Sequence, residues 1–307
     1  PLIFSLLFGR VFCSSVCPLG GIQDLVLIKP ITIPIWLKTI LRFIPYVYLG
    51  LAVLFASTGA GFIICQFDPF VGIFRRSASF SMIFFGMLFL GLGTVVARPY
   101  CRFMCPYSIL LGWMSFFSKW HVSITPDKCI KCRLCEKACP FEAINAPRIR
   151  PSSSYQYRSI RQFYFAVILL PLFLFTGMIA GGGMSKWLSL KHPRVHLAEQ
   201  ILREDNMRTN QTTEESRTFR EGSTPVSELV LKARGIKKKM ETGSIIFGIF
   251  IGIIVAFALI RQTILRTQKF YTPDQRDCLS CTRCFSFCPN GQQRIKNLKR
   301  VEVRHET

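Results

Sequence analysis

The sequence predicts an all-α polytopic membrane protein with a split, cysteine-rich module on one face. Three observations carry that prediction. Four uncharged stretches are each about long enough to cross a bilayer. Half of the 307 residues are hydrophobic while only 18% are charged, against about 25% in a soluble domain. Twelve of the 13 cysteines fall into repeated strings. The formal charge is +22, from 39 Lys+Arg against 17 Asp+Glu. A basic surplus of that size is typical of nucleic-acid binders, but a mean hydropathy of +0.33 with the apolar residues in blocks excludes that class. The composition also excludes disorder, and 13 cysteines in 307 residues are too dilute for a secreted disulfide scaffold.

Residues 1–9 read as the end of a span that begins before Pro1, with no intact signal peptide. Residues 43–67, 77–97, 162–185 and 242–260 contain no Lys, Arg, Asp or Glu, in runs of 25, 21, 24 and 19 residues. A hydrocarbon core of about 30 Å takes roughly 20 residues to cross, and backbone polar groups cannot stay open in lipid, so each run is expected to be a helix. Pro45 and Pro171 are expected to kink their helices.

Four crossings put residues 10–42, 98–161 and 261–307 on one side, with 68–76 and 186–241 on the other. The 98–161 segment and the C-terminal tail carry the denser positive excess, which makes their side cytoplasmic in a prokaryotic inner membrane. Arg75 and Arg76 run against that assignment. Trp36, Trp113, Trp120 and Trp187 flank the spans as an interfacial belt. The expected division is a membrane domain over 1–122, a first cysteine half over 123–160, a transmembrane helix over 161–185 and an extracytoplasmic loop over 186–241. A second transmembrane helix follows over 242–262, then a second half with a basic tail over 263–307.

Cys129, Cys132, Cys135 and Cys139 form C-x2-C-x2-C-x3-C-P, and Cys278, Cys281, Cys284 and Cys288 repeat it. This is the bacterial ferredoxin run for 4Fe–4S clusters. Three closely spaced thiolates grip three corners of a cube, while the fourth projects away with Pro140 or Pro289. Structural zinc is the competing reading, although its cysteine pairs usually stand well apart. Where two clusters are present, the fourth cysteine ligates the other one. Site one is then Cys129, Cys132, Cys135 and Cys288, and site two is Cys278, Cys281, Cys284 and Cys139. Two membrane crossings between the halves return the chain to the side on which that exchange is feasible.

Cys13-Ser-Ser-Val-Cys17-Pro18 and Cys101-Arg-Phe-Met-Cys105-Pro106 are two C-x3-C-P motifs. Spacing of i, i+4 places both sulfurs of a motif on one helical face. Together the pairs supply four thiolates, enough for a third cluster or another metal centre. A pair of dithiol switches is the competing reading. Cys65 is left over, and reads as a packed apolar residue rather than a ligand.

The strings GRVFCSSVCPLGGIQD, ARPYCRFMCPYSILLG and KCIKCRLCEKACP resemble the polyferredoxin-type membrane iron–sulfur proteins. That group includes the membrane subunit of periplasmic nitrate reductase systems, the membrane domain of the nitrous oxide reductase accessory flavoprotein and relatives beside reductive dehalogenases. The resemblance covers residues 10–145, and 270–290 through the cysteine run. It implies an electron-transfer subunit of a respiratory chain, linking the quinone pool or a cytoplasmic carrier to an extracytoplasmic partner. That partner is expected to bear a flavin or haem, with membrane lipid as the surroundings and no nucleic acid. An assembly factor or redox sensor that reduces a partner's metal centre is the alternative. The uncharged spans contain no histidine, which disfavours an internal haem pair.

The remaining features are weaker. His192 and His196 read as solvated, and residues 195–204 as a short amphipathic helix on the membrane or a partner. Lys237, Lys238 and Lys239 read as an interfacial anchor. Residues 150–158 and 209–216 read as linkers, and Thr58-Gly59-Ala60-Gly61 as small residues packed within a helix.

Overall fold

The computed structural model describes residues 1–60, 68, 79–120, 122–124, 129–147, 153–207, 213–222, 225–263 and 270–289. The chain is mostly helical and divides into two compact units. One comprises residues 1–46, 69–152 and 266–307, and contains the patterned cysteines; the other comprises 47–68 and 153–265. Cys65, Arg75, Arg76 and the tail after Pro289 lie outside the described residues.

In the cysteine-bearing unit, α1 (Leu2–Phe8) leads to a π-helical turn over Phe12–Val16 and then to α2 (Pro18–Val26). Helix α3 (Ile35–Leu41) precedes α4 (Ile44–Thr58), whose first residues also belong here. Then come α5 (Phe80–Gly93), α6 (Pro99–Phe103), α7 (Tyr107–Phe116) and α8 (Leu134–Ala138). Strand β1 (Ile144–Asn145) pairs antiparallel with β2 (Thr272–Pro273), Ile144 opposite Pro273, although the two are far apart in sequence. Helix α13 (Arg283–Ser286) follows β2 and packs on α8.

Two spans differ from expectation. Ile35–Thr58 is long and apolar enough to cross a membrane and starts before the uncharged interval 43–67. Among the described residues of the 77–97 interval, the helix covers Phe80–Gly93. At 1.5 Å per residue α5 rises about 21 Å, short of a core of about 30 Å. The reason lies in the hydrogen bonds of the next residues. Ile28 and Lys29 N–H groups donate to Thr94 O, and Ile31 N–H donates to Val95 O. The chain therefore leaves the helix at Gly93 to pair with the segment after α2.

The second unit is built on two 38-residue helices, α9 (Ser153–Leu190) and α12 (Val226–Thr263). They contain the candidate spans Val167–Leu190 and Val226–Ile260. Small residues set their approach. A Cβ on Gly248 would lie 2.0 Å from Gly177 O, one on Gly181 2.2 Å from Ser244 O, and one on Gly252 2.5 Å from Phe173 O. Rising numbers on one helix meet falling numbers on the other, so the pair is antiparallel. This is small-xxx-small packing, in which backbones touch because no side chain keeps them apart.

Several readings of this region are corrected. The 186–241 segment is largely helical where described: α9 continues to Leu190, then α10 (Pro193–Met207) and α11 (Glu214–Glu221) precede α12. Ser153 onward is helix rather than linker, and Glu214–Ser216 begin α11. The apolar face of α10 is covered within the chain, since Val195, Ala198 and Ile201 pack on Leu229, Ala233 and Ile236. Lys237 pairs with Glu199 at 2.6 Å, tying α10 to α12. His192 is buried, with Nε2 3.4 Å from Thr58 O and Nδ1 unpartnered, whereas His196 is exposed. Thr58 ends α4 and Gly59 takes φ +79, so these small residues stop a helix rather than pack one. Gly61 lies outside the described residues.

Candidate metal centre

The two C-x3-C-P motifs belong to a longer internal repeat, Arg10-Val11-Phe12-Cys13 and Arg98-Pro99-Tyr100-Cys101. Both arms close the same wide turn: Cys17 N–H donates to Phe12 O at 3.0 Å, and Cys105 N–H to Tyr100 O at 2.9 Å. This corrects the expectation of an ordinary helical face. Pro18 and Pro106 have no N–H with which to continue a helix, so each motif widens to an i→i−5 bond and a new helix starts at or after the proline.

The four C-x3-C-P thiols influence one another electrostatically. Burial pushes Cys101 up to about 12, with Cys105, Cys13 and Cys17 adding to the rise. Burial likewise takes Cys105 to about 11, with Cys13 among its neighbours. Gln23, fully buried on α2, donates from Nε2 to Cys101 Sγ at 3.4 Å and accepts from Tyr100 N–H at 3.2 Å. Arg98, at 1% exposure, donates from Nε to Asp24 Oδ1 at 2.8 Å and from Nη1 to Cys13 O.

The ferredoxin runs repeat each other in backbone as well as in spacing. Lys131 and Arg133 have φ +56 and +64, and their counterparts Ser280 and Thr282 have φ +54 and +58. Four non-glycine residues in the left-handed region cost roughly 1 kcal/mol or more apiece. Such turns direct successive N–H groups into one concavity, as in nests that hold anions and iron–sulfur groups. Ser280 N–H donates to Cys278 Sγ, and Ala143 N–H to Cys139 Sγ, both at 3.4 Å.

One cavity is lined by Cys278, Cys281 and Cys284 together with Cys139 from the other run, and by Phe141, Ala143 and Leu279. Burial raises Cys284 to about 12, followed by the influence of Cys278, Cys139 and Cys281. In the first run, Cys135 is raised by burial, with Cys129 and Cys132 as the neighbouring thiols. Cys288 is half-buried beyond α13 and is not among the leading influences on Cys135.

The residues present fit an iron–sulfur group, since Cys139, Cys278, Cys281 and Cys284 line one cavity and N–H groups of Ser280 and Ala143 donate to sulfur. Among the described residues, no three Cys, His, Asp or Glu side chains gather tightly enough for one ion. Zn–S bonds of about 2.3 Å bring tetrahedral sulfurs within about 3.8 Å of one another. Thiolates that each bind a different iron of a cube stand further apart.

Arg10, Gln23, Asp24, Arg98 and Glu142 were not expected from the sequence. Glu142, at φ +51, accepts from Ile33 N–H at 2.8 Å and Lys38 Nζ at 2.9 Å, and pairs with Arg102 at 3.5 Å. It thereby ties the first run to α3 and α6. A sequence signal existed for the arginines, each of which stands three residues before the first cysteine of its motif.

Comparison with known proteins agrees with this chemistry. A family described as "4Fe-4S binding domain" matches residues 1–42 and 78–125, and a second family of the same description matches 122–145. An uncharacterized protein, MJ0749 of Methanocaldococcus jannaschii, is 30% identical over 150 residues, covering 46% of this chain and 55% of its own. YccM of Escherichia coli, whose name proposes an electron transport role, is 26% identical over 45% of this chain and 43% of its own. The ferredoxin-type protein NapH of Escherichia coli is 30% identical over 52% of this chain and 57% of its own. The matched part of the chain spans about half the length of these curated relatives. No solved structure matches the chain. The resemblance to the polyferredoxin-type membrane iron–sulfur proteins therefore holds over the matched residues.

Proposed function

We propose that the chain is the membrane-bound iron–sulfur subunit of a redox complex. It links the quinone pool or a cytoplasmic carrier to a partner oxidoreductase on the extracytoplasmic side. The clusters lie on the cytoplasmic side of a prokaryotic inner membrane, in a split ferredoxin-like module. Cys129, Cys132, Cys135 and Cys288 hold one 4Fe–4S cluster, and Cys278, Cys281, Cys284 and Cys139 hold a second. Cys13, Cys17, Cys101 and Cys105 hold a third. When bound, such clusters take up and release single electrons.

The observation that carries this reading is the cavity in which Cys139 joins the three cysteines of the other run. The chain's own residues supply the thiolates, keep water out with Phe141 and Leu279, and donate N–H groups to sulfur from Ser280 and Ala143. No patterned cysteine lies on the extracytoplasmic side of this topology. A mobile quinone or a partner-borne flavin or haem then completes the route across the bilayer.

Protein purified anaerobically is expected to hold about twelve iron atoms, or about eight if the C-x3-C-P pairs stay empty. Stoichiometric zinc with little iron would overturn the reading. Menaquinol or reduced ferredoxin is expected to reduce the centres at turnover rates. Slow stoichiometric reduction with loss of a partner's metal would point instead to an assembly factor.

A further inference from the structure

Arg10 and Arg98 hold equivalent places in the repeat, and both are buried, at 7% and 1% exposure. Their partners differ. Arg98 is neutralised by Asp24 through Nε and Nη2. Arg10 makes no carboxylate pair among the described residues. Its Nη1 donates to Arg276 O at 2.7 Å, and its Nε is buried without a partner. A buried guanidinium without a counter-charge is strongly disfavoured.

The charge of Arg10 is felt at sulfur. It acts on Cys13 and Cys105 of the C-x3-C-P site and on Cys278 of the second run. The packing agrees independently. A Cβ on Gly9 would lie 3.2 Å from Ser280 Oγ in the left-handed loop of that run. Cys13, Cys139, Cys278 and Cys281 also border one apolar cluster.

We infer that Arg10 is a counter-charge shared by two neighbouring iron–sulfur centres, the C-x3-C-P centre and that of the second run. It raises the reduction potential of both. The inference rests on the ligand sets proposed above. Four thiolates outweigh the positive charge of a cluster core, so each centre is anionic when oxidised and more so after gaining an electron. A fixed cation close by favours the reduced form. Arg98 also acts on Cys13, but its bidentate pairing with Asp24 offsets its charge.

The test is a mediated redox titration of the whole protein, followed by electron paramagnetic resonance. Arg10→Gln is expected to lower the reduction equilibrium constant of both centres about tenfold, or 59 mV for a one-electron couple. Arg10→Lys is expected to stay near wild type. In iron-free protein Arg10→Gln should raise the unfolding temperature, because it removes an unpaired buried charge, whereas Arg98→Gln should lower it by stranding Asp24. Unmoved potentials, or a shift in one centre alone, would overturn the inference. Should Arg10→Gln load no iron, the decision passes to the iron-free protein and to Arg10→Lys. No gain in stability from Gln together with no iron in Lys would then overturn it. Zinc in place of iron in the wild type would instead count against the proposed function, while the iron-free comparison would still report whether Arg10 is an unpaired charge.

Discussion

The two units of the chain are held together by opposite means. In the paired-helix unit the backbones of α9 and α12 meet directly at Gly177, Gly181, Ser244, Gly248 and Gly252. In the cysteine-bearing unit short helices and strained turns are fixed by buried polar groups: Arg98 on Asp24, Gln23 on Cys101 and Tyr100, and Glu142 on Lys38 and Ile33. Lipid offers no hydrophobic gain for bringing helices together, so a membrane pair relies on close packing. A site for anionic clusters needs oriented donors and charges, and these can be held in place only by further hydrogen bonds. The first arrangement is sensitive to volume and the second to charge.

Four substitutions and one pH series sharpen that contrast. Cys101→Ser should have the largest effect, removing about four iron atoms per protein and abolishing electron transfer; iron analysis with a quinol reduction assay measures both. Arg98→Ala leaves Asp24 without its partner and should destabilise the cysteine-bearing unit by about 3 kcal/mol. Gly248→Val drives a side chain into Gly177 O and should cost about 1–3 kcal/mol in the helix pair. Thermal unfolding in detergent, with iron content as a second readout, separates these two. The glycine variant should lose stability with its iron retained, and equal iron loss in both variants would break the contrast.

The pH series concerns Glu142. Burial opposes its charge, but Lys38, the Ile33 N–H and Arg102 prevail and hold its carboxyl below the ordinary value. Its contribution is fully present above the unfolded carboxylate pKa of about 4.3 and disappears as the pH falls through the lower folded value. Glu142→Gln should flatten that acid limb in unfolding curves. Cys65→Ala should have the smallest effect, leaving electron transfer intact; loss of transfer with the other centres still reducible would make that cysteine a ligand.

Much of the candidate site was legible because cysteine spacing directly encodes loop geometry. The spacing of the two ferredoxin strings is legible in the cavity that Cys139 lines together with Cys278, Cys281 and Cys284. Lys131, Arg133, Ser280 and Thr282 are residue types that carry no mark of left-handed backbone, yet all four adopt it. The short helix α5 was hidden for another reason: Thr94 and Val95 are apolar enough to extend a span, but their carbonyls are used by residues near Ile28. The glycines spaced by four in α9 and α12 were a readable signal for helix pairing. Within 186–241 only the helix over 195–204 was legible, and the rest was harder to see because its charged residues pair across helices, as Lys237 does with Glu199.

The central claim is that Cys139 serves the cluster of the other run. Electron paramagnetic resonance of Cys139→Ser tests it most directly, with Cys132→Ala and Cys278→Ala marking the signal of each site. The account predicts that Cys139→Ser alters the signal lost in Cys278→Ala and leaves the one lost in Cys132→Ala unchanged. A change confined to the Cys132 signal would contradict it.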